Sequence, residues 1–308
     1  MDGLLVIDKP QGLTSHDVVA VARRALRESR IGHTGTLDPM ATGVLPLAIG
    51  RATRLVRFLS ASDKDYLATI RFGATTDSYD ADGEETSRSD RHPDRESVDR
   101  ALADLRGRYD QLPPPFSAKK IGGRRAYDLA RRHEDVTLTP VPVEVARADL
   151  VAFDGWSAQV ALTCSAGFYV RALAHTLGQA VGTGAFLQAL HRTRCGQFRL
   201  DEAMGLDDLT GDPDAPGARD GSREAVLEWL VPLPELLRDF PSVIVTDEGR
   251  VWVGHGRELD ARVFRPDSPA PVAGASAWTR VFDEHGHLLA VATPGHSPGS
   301  LHPAVVLN

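Results

Sequence analysis

Gly32-His33-Thr34-Gly35-Thr36-Leu37-Asp38-Pro39-Met40-Ala41-Thr42-Gly43-Val44-Leu45-Pro46 is the stretch on which the reading of this chain turns. It sets one carboxylate, Asp38, among Gly, Pro and Thr. Such residues adopt unusual backbone angles and let a second stretch of backbone approach closely. The flanks, Ala41 and Val44 to Ile49, are apolar. An acid on a stiff turn beside apolar surface has its position fixed and its charge perturbed, which suits chemistry. The competing reading is an ordinary Asp-Pro turn, its carboxylate bonded to nearby backbone.

The chain has 308 residues, enough for one large domain and one small one. Its first ten residues carry Asp2 and Asp8 and no basic leader, so no signal peptide is expected. No apolar run has the length that crosses a bilayer. Cys164 and Cys195 show no metal spacing and read as buried thiols in a reducing compartment. A cytoplasmic location follows. The formal charge of −7 disfavours nucleic acid as a partner, but its distribution reverses that view. Residues 1–200 carry 27 basic and 24 acidic side chains, a balance of +3; residues 201–308 carry 8 and 18, a balance of −10.

Leu4 to Ile7 reads as a buried strand ending at Lys9-Pro10. Ser15 is the expected N-cap of a helix with Val18, Val19, Ala22 and Leu26 on one face. The Asp38 segment reads as loop and turn. Tyr66 to Phe72, Val141 to Phe153 and Ser157 to Cys164 read as strands. Residues 97–107, 124–132 and Tyr169 to Val181 read as helices, and Asp77 to Arg95 as acidic loop. Residues 210–222 are rich in Gly, Pro and Asp and read as a mobile insertion. Val226, Leu230 and Leu233 suggest a short closing helix. Beyond Pro241 come expected short strands at Val243 to Val245, Trp252 to Gly254, Thr279 to Phe282 and Leu288 to Val291.

The GHTGTLDPMATGVLPL segment resembles the active-site motif of the TruB-type tRNA pseudouridine synthases, GHxGxLDPxATGxLP. Four further stretches agree in order: Lys9 to Ser15; Lys64-Asp65-Tyr66; Pro114 to Lys120 with Gly123 to Tyr127; and Gly167 to Arg171. The resemblance is strong over residues 1 to 200. It implies an α+β pseudouridine-synthase fold, a mixed and largely antiparallel sheet flanked by helices, with a small β-rich PUA-like domain. The corresponding division is a catalytic domain at 1–236 and a second domain at 241–308. The implied activity is isomerisation of uridine 55 in the T arm of tRNA by base flipping and an essential Asp, without cofactor or metal. A monomer with no obligatory protein partner is expected, away from membranes. The rivals are a tRNA-binding folding chaperone with dispensable catalysis and the related synthase of guide-RNA particles. Extra terminal segments for partner docking, expected of the latter, are not seen.

Asp38 matches the family's essential acid; it acts ionised, as nucleophile or as a base on the sugar. Arg171, at an expected strand–helix junction, suits pairing with a buried carboxylate. Tyr66 matches the active-site Tyr, its ring placed to stack on uracil and its hydroxyl to move a proton. His33, Tyr169 and Leu190 match positions that contact the target nucleotide. Lys9-Pro10 resembles a supporting element beneath the loop. Lys119, Lys120, Arg124, Arg125, Arg131 and Arg132, interleaved with Phe116 and Tyr127, are candidates for the RNA backbone. Arg192 joins them, where the family often has Arg-Arg and this chain has His191-Arg192. Ser78 to Gly83 imitates the start of a calcium loop, but its twelfth position is Ser89 rather than Glu, so calcium is rejected.

Overall fold

The computed structural model describes residues 1–116, 120, 121, 124, 125, 138–210, 226–269 and 278–307. The helices are α1 (Ser15–Leu26), α2 (Val56–Leu59), α3 (Arg95–Asp104), α4 (Val170–Ala180), α5 (Leu206–Thr210) and α6 (Asp247–Gly254). The strands of the N-terminal half are β1 (Gly3–Lys9), β2 (Ile31–His33), β3 (Thr42–Ile49), β4 (Lys64–Phe72), β5 (Ala74–Thr76), β6 (Glu85–Arg88), β7 (Gly107–Gln111), β8 (Lys120–Ile121) and β9 (Arg124–Arg125). Those that follow are β10 (Val141–Phe153), β11 (Ser157–Cys164), β12 (Ala185–Cys195), β13 (Phe198–Arg199), β14 (Met204–Gly205) and β15 (Val231–Pro232). The last four are β16 (Ser242–Ile244), β17 (Thr279–Phe282), β18 (Leu288–Pro294) and β19 (Leu301–Val306).

The large sheet runs β14-β1-β3-β12-β4-β11-β10-β7, with β2, β13 and β15 paired to its members. Its ladders are antiparallel except β1–β14 and β3–β12. The β3–β12 junction is only two register pairs long, His191 with Thr42 and Arg192 with Gly43. A second sheet, β16-β17-β18-β19, holds the C-terminal residues. The architecture is α+β, a mixed and mainly antiparallel sheet with helices on it, as expected.

α1 buries Val18, Val19, Ala22 and Leu26 against Leu5, Ile7, Leu45 and Leu47 of β1 and β3. Its cap is Thr14 rather than Ser15. The Thr14 hydroxyl accepts from Asp17 N while Asp17 accepts from Thr14 N, a reciprocal box. Ser15 instead bonds outside the helix, where its hydroxyl donates to the Leu37 carbonyl at 3.0 Å and accepts from Leu37 N at 2.8 Å. The helix start is thereby tied to the Asp38 loop. A second apolar cluster joins Leu4, Val6, Val44 and Ala48 to Leu233, Leu236, Leu288, Val291 and Leu307, so both sheets share it. Cys164 and Cys195 are buried and unpaired, as expected.

Several expected elements differ. Residues expected as acidic loop contain β6, which pairs antiparallel with β5; beside that ladder the Thr75 hydroxyl bonds those of Thr86 and Ser87. Trp252 to Gly254 is the end of α6, not a strand; Thr246 caps that helix by accepting from Gly249 N. Arg124 and Arg125 form β9 rather than the start of a helix; residues 126–132, and 211–222 of the expected insertion, lie outside the described residues. Among the described residues, no helix is long and apolar enough to cross a membrane.

Candidate active site

Asp38 opens a turn, with Ala41 N donating to its carbonyl at 3.0 Å. The turn expectation therefore holds for the main chain. The side chain does something else: it meets the guanidinium of Arg171, Nε to Oδ2 at 2.9 Å and Nη2 to Oδ1 at 3.3 Å. This two-point fork fixes the carboxylate in position as well as in charge. Arg171 is itself buried. Its remaining donors reach the Ser78 carbonyl at 3.2 Å, the Asp80 carboxylate at 3.4 Å and the Phe116 carbonyl at 3.0 Å.

Two carboxylates thus share one cation in a buried setting. Burial pushes Asp38 above the usual carboxylate range; Arg171 pulls it back, and Asp80 and Asp82 add to the rise. The reactive ionised form therefore builds up at higher pH than for a free Asp. Replacing Arg171 with Lys exchanges a fork for a point charge. The expected result is a fall of about 100-fold in single-turnover rate. The acid limb of the pH–rate profile should also move to higher pH, because the group that lowers the Asp38 pKa is weakened.

The loop is held from below. Lys9 is fully buried, and its ammonium donates to the Pro10, Leu13 and Pro39 carbonyls at 2.8, 2.6 and 3.4 Å. Burial lowers its pKa to about 8 against the opposing pull of Asp38. Pro10 is exposed and offers the Lys9 ammonium its carbonyl. Gly12 N donates to the Pro39 carbonyl at 2.8 Å.

Arg192 corrects an expectation. It is not a surface ligand for phosphate: it is 1% exposed. Its guanidinium donates to the carbonyls of Val44 at 2.7 Å, Gly35 at 3.1 Å and Thr36 at 3.5 Å, bracing the loop from β12. Charge alone gave no clue to this burial.

A cavity of about 370 Å³ opens above these groups. Asp38, Tyr66, Arg171, His33, Tyr169, Leu190 and Arg192 all line it, from five different elements or loops. Thr34, Lys64 and Phe168 line it too, and the sequence did not single them out. Tyr66 comes from β4, and burial raises its phenol to about 12, so it stays protonated near neutrality. His33, edge-on to His16 with ring centroids 5.2 Å apart, is lowered to about 4 by burial and by the nearby His16 and Arg192. It is neutral at pH 7 and presents a ring, not a charge. Gln111, also unforeseen, clamps the start of α4: Tyr169 N donates to its Oε1 at 2.8 Å, and its Nε2 donates to the Tyr169 carbonyl at 3.1 Å. The side chains of Lys120, Arg124 and Arg125, and all of Lys119, Arg131 and Arg132, lie outside the described part. No group of side chains suited to hold a metal is present among the described residues.

Residues 23–170 match the N-terminal domain of TruB family pseudouridylate synthase, and residues 171–237 the C-terminal domain of tRNA pseudouridylate synthase B. The chain is 43% identical to tRNA pseudouridine synthase B of Solibacter usitatus over the full length of both. It is 48% identical to that of Mycobacterium tuberculosis over 216 residues, covering 68% of this chain and 72% of the other. Among solved structures, a Cbf5-Nop10-Gar1 complex matches with a TM-score of 0.75 and 25% identity, over 99% of this chain and 85% of that one. An H/ACA RNP bound to a substrate RNA matches in fold at 22% identity, again with a TM-score of 0.75. With family models matching residues 23–237 and a relative 43% identical over the full length of both chains, the chain belongs to the TruB family of pseudouridine synthases.

Proposed function

We propose that this protein converts uridine 55 in the T arm of tRNA to pseudouridine, with Asp38 as the essential carboxylate. The observation that carries the reading is the Asp38–Arg171 fork set in the wall of the cavity. The names of the 43–48% identical relatives support tRNA as the substrate. In the reaction, the bond from C1′ to N1 breaks and one from C1′ to C5 forms. C5 gives up its proton and N1 gains one. The atoms balance without cofactor, metal or energy source.

The uridine leaves its stack and enters the cavity, at a cost of a few kcal/mol that contacts inside must offset. Tyr66 stacks on the base, with the neutral ring of His33, the ring of Tyr169 and the apolar Leu190 around the nucleotide. Asp38, held ionised by Arg171, attacks C1′ or takes the proton from C2′. Tyr66, protonated at working pH, serves the proton that leaves C5 by relay through its hydroxyl. Tyr66→Phe is expected to keep tRNA affinity within about threefold and to lose at least about 100-fold in turnover. Filter binding and single-turnover assays measure the two separately.

Lys119, Lys120, Arg124, Arg125, Arg131 and Arg132 are proposed to follow the RNA backbone. We further propose a cytoplasmic monomer, without obligatory partner, whose residues 241–308 form a PUA-like domain beside a catalytic domain at 1–236. The deciding experiment incubates transcribed tRNA and an isolated T-arm stem-loop with the purified protein and maps pseudouridine. One pseudouridine, at position 55, is expected in both. No conversion, or conversion elsewhere, overturns the proposal.

A further inference from the structure

Tyr79 holds a backbone conformation that tyrosines avoid, with φ of 66°. It stands between two groups that converge on Nη1 of Arg171: the Ser78 carbonyl at 3.2 Å and the Asp80 carboxylate at 3.4 Å. Main-chain bonds pin the turn to β12. Leu187 N donates to the Tyr79 carbonyl at 2.9 Å, and Ala81 N to the Leu187 carbonyl at 3.0 Å. The Thr76 hydroxyl donates to the Asp80 carbonyl at 2.7 Å. None of these bonds engages the Tyr79 side chain.

That ring lies flat on the imidazole of His175, with centroids 3.9 Å apart and planes 10° from parallel. His175 follows Arg171 by four residues on α4, so the two occupy one face of the helix. Its Nδ1 is buried and has no hydrogen-bond partner among the described residues. Burial lowers the His175 pKa and so favours the neutral ring. The ring offers the turn a surface rather than a hydrogen bond.

We infer that the Tyr79–His175 stack is a positioning element for the Arg171 guanidinium. A left-handed tyrosine costs free energy that a glycine would not, and a flat ring contact returns an amount of the same order. Without the stack, Tyr79 relaxes toward ordinary backbone angles. The Ser78 carbonyl and the Asp80 carboxylate on either side then turn away from Nη1. Arg171 keeps Asp38 and the Phe116 carbonyl but loses two of its four partners, and the fork tilts. Tyr79 and His175 act through Arg171. This inference rests on the reading that Asp38 and Arg171 carry the isomerisation.

The test measures kcat and KM on a T-arm stem-loop for the full-length protein and its variants. His175→Ala is expected to lower kcat about tenfold and leave KM within about twofold. His175→Phe, which keeps a flat ring against Tyr79, should stay within about threefold of wild type in kcat. In a Tyr79→Gly background, the same His175→Ala change should cost less than about twofold, because glycine needs no support at positive φ. The inference is overturned if His175→Ala runs at the wild-type rate or if His175→Phe is as slow as His175→Ala. It is equally overturned if the His175→Ala cost persists with Gly at position 79, since plain loss of packing would then explain it. A wild-type protein without turnover would overturn the functional reading together with this one; an active wild type with flat variant ratios overturns this one alone.

Discussion

Asp38→Asn should bind tRNA with near wild-type affinity and form pseudouridine at least about ten-thousandfold more slowly, as loss of an essential reacting group does in other enzymes. The change preserves size and removes the charge. The Arg171 fork then meets an amide, which accepts at one atom and presents donors at the other. The guanidinium keeps Asp80, Ser78 and Phe116, so the cavity wall stands. Affinity, set by the rest of the surface, should change less than about threefold. Gel-shift titration beside single-turnover mapping separates the two quantities. Turnover within about tenfold of wild type would sink Asp38 as the reacting group.

Gly43→Ala should be severely damaging for so small a substitution. Gly43 has φ of 97°, where L side chains are strained. A Cβ there would meet the Arg192 carbonyl oxygen at 2.2 Å, with the backbone C and N of Arg192 both at 3.0 Å. Backbone cannot rotate aside as a side chain does. The β3–β12 junction, only two pairs long, must open. We expect a loss of at least about 3 kcal/mol, read as a fall of about 5–10 °C in apparent Tm. Activity should fall further than stability, because Arg192 braces the Asp38 loop across this same junction. A melting point within about 2 °C of wild type, roughly the shift that one kcal/mol produces, would refute the close approach.

Two long strands were legible to the residue, while β4 begins at Lys64, two residues before the expected Tyr66. β10 spans Val141–Phe153 and β11 spans Ser157–Cys164, each as the pattern predicts. β12 was not seen, because Gln188, His191, Arg192, Thr193 and Arg194 leave it without the apolar run that marks a strand. β3 was read as loop and apolar flank because Gly43 and Pro46 ordinarily exclude a strand interior. Here Gly43 allows close approach, and Pro46 still offers its carbonyl to Thr34 N at 3.1 Å. In α6, a Thr cap overrides the strand preference of Trp252 and Val253. Asp38, Tyr66 and Arg171 were legible through motifs. Asp80 was hidden because its segment looked like a solvated acidic loop, yet it is 4% exposed and ion-paired. Arg192 was misplaced for the opposite reason: a basic residue in an RNA-binding chain suggests phosphate, and only the fold reveals three carbonyls waiting for it.

The apolar cluster shared by the two sheets bears on how force would travel through the molecule. Leu288, Val291 and Leu307 press on Leu4, Val6, Val44 and Ala48 without a polar layer between them in that cluster. Close-packed side chains are barely compressible and pass a displacement on rather than absorb it. β1 ends at Lys9, which braces the Asp38 loop through the Pro39 carbonyl, and β3 begins at Thr42, where that loop ends. A load placed on the far sheet is therefore borne by the loop's own abutments, and the terminal residues behave less as an attached module than as the keystone of the arch that carries Asp38.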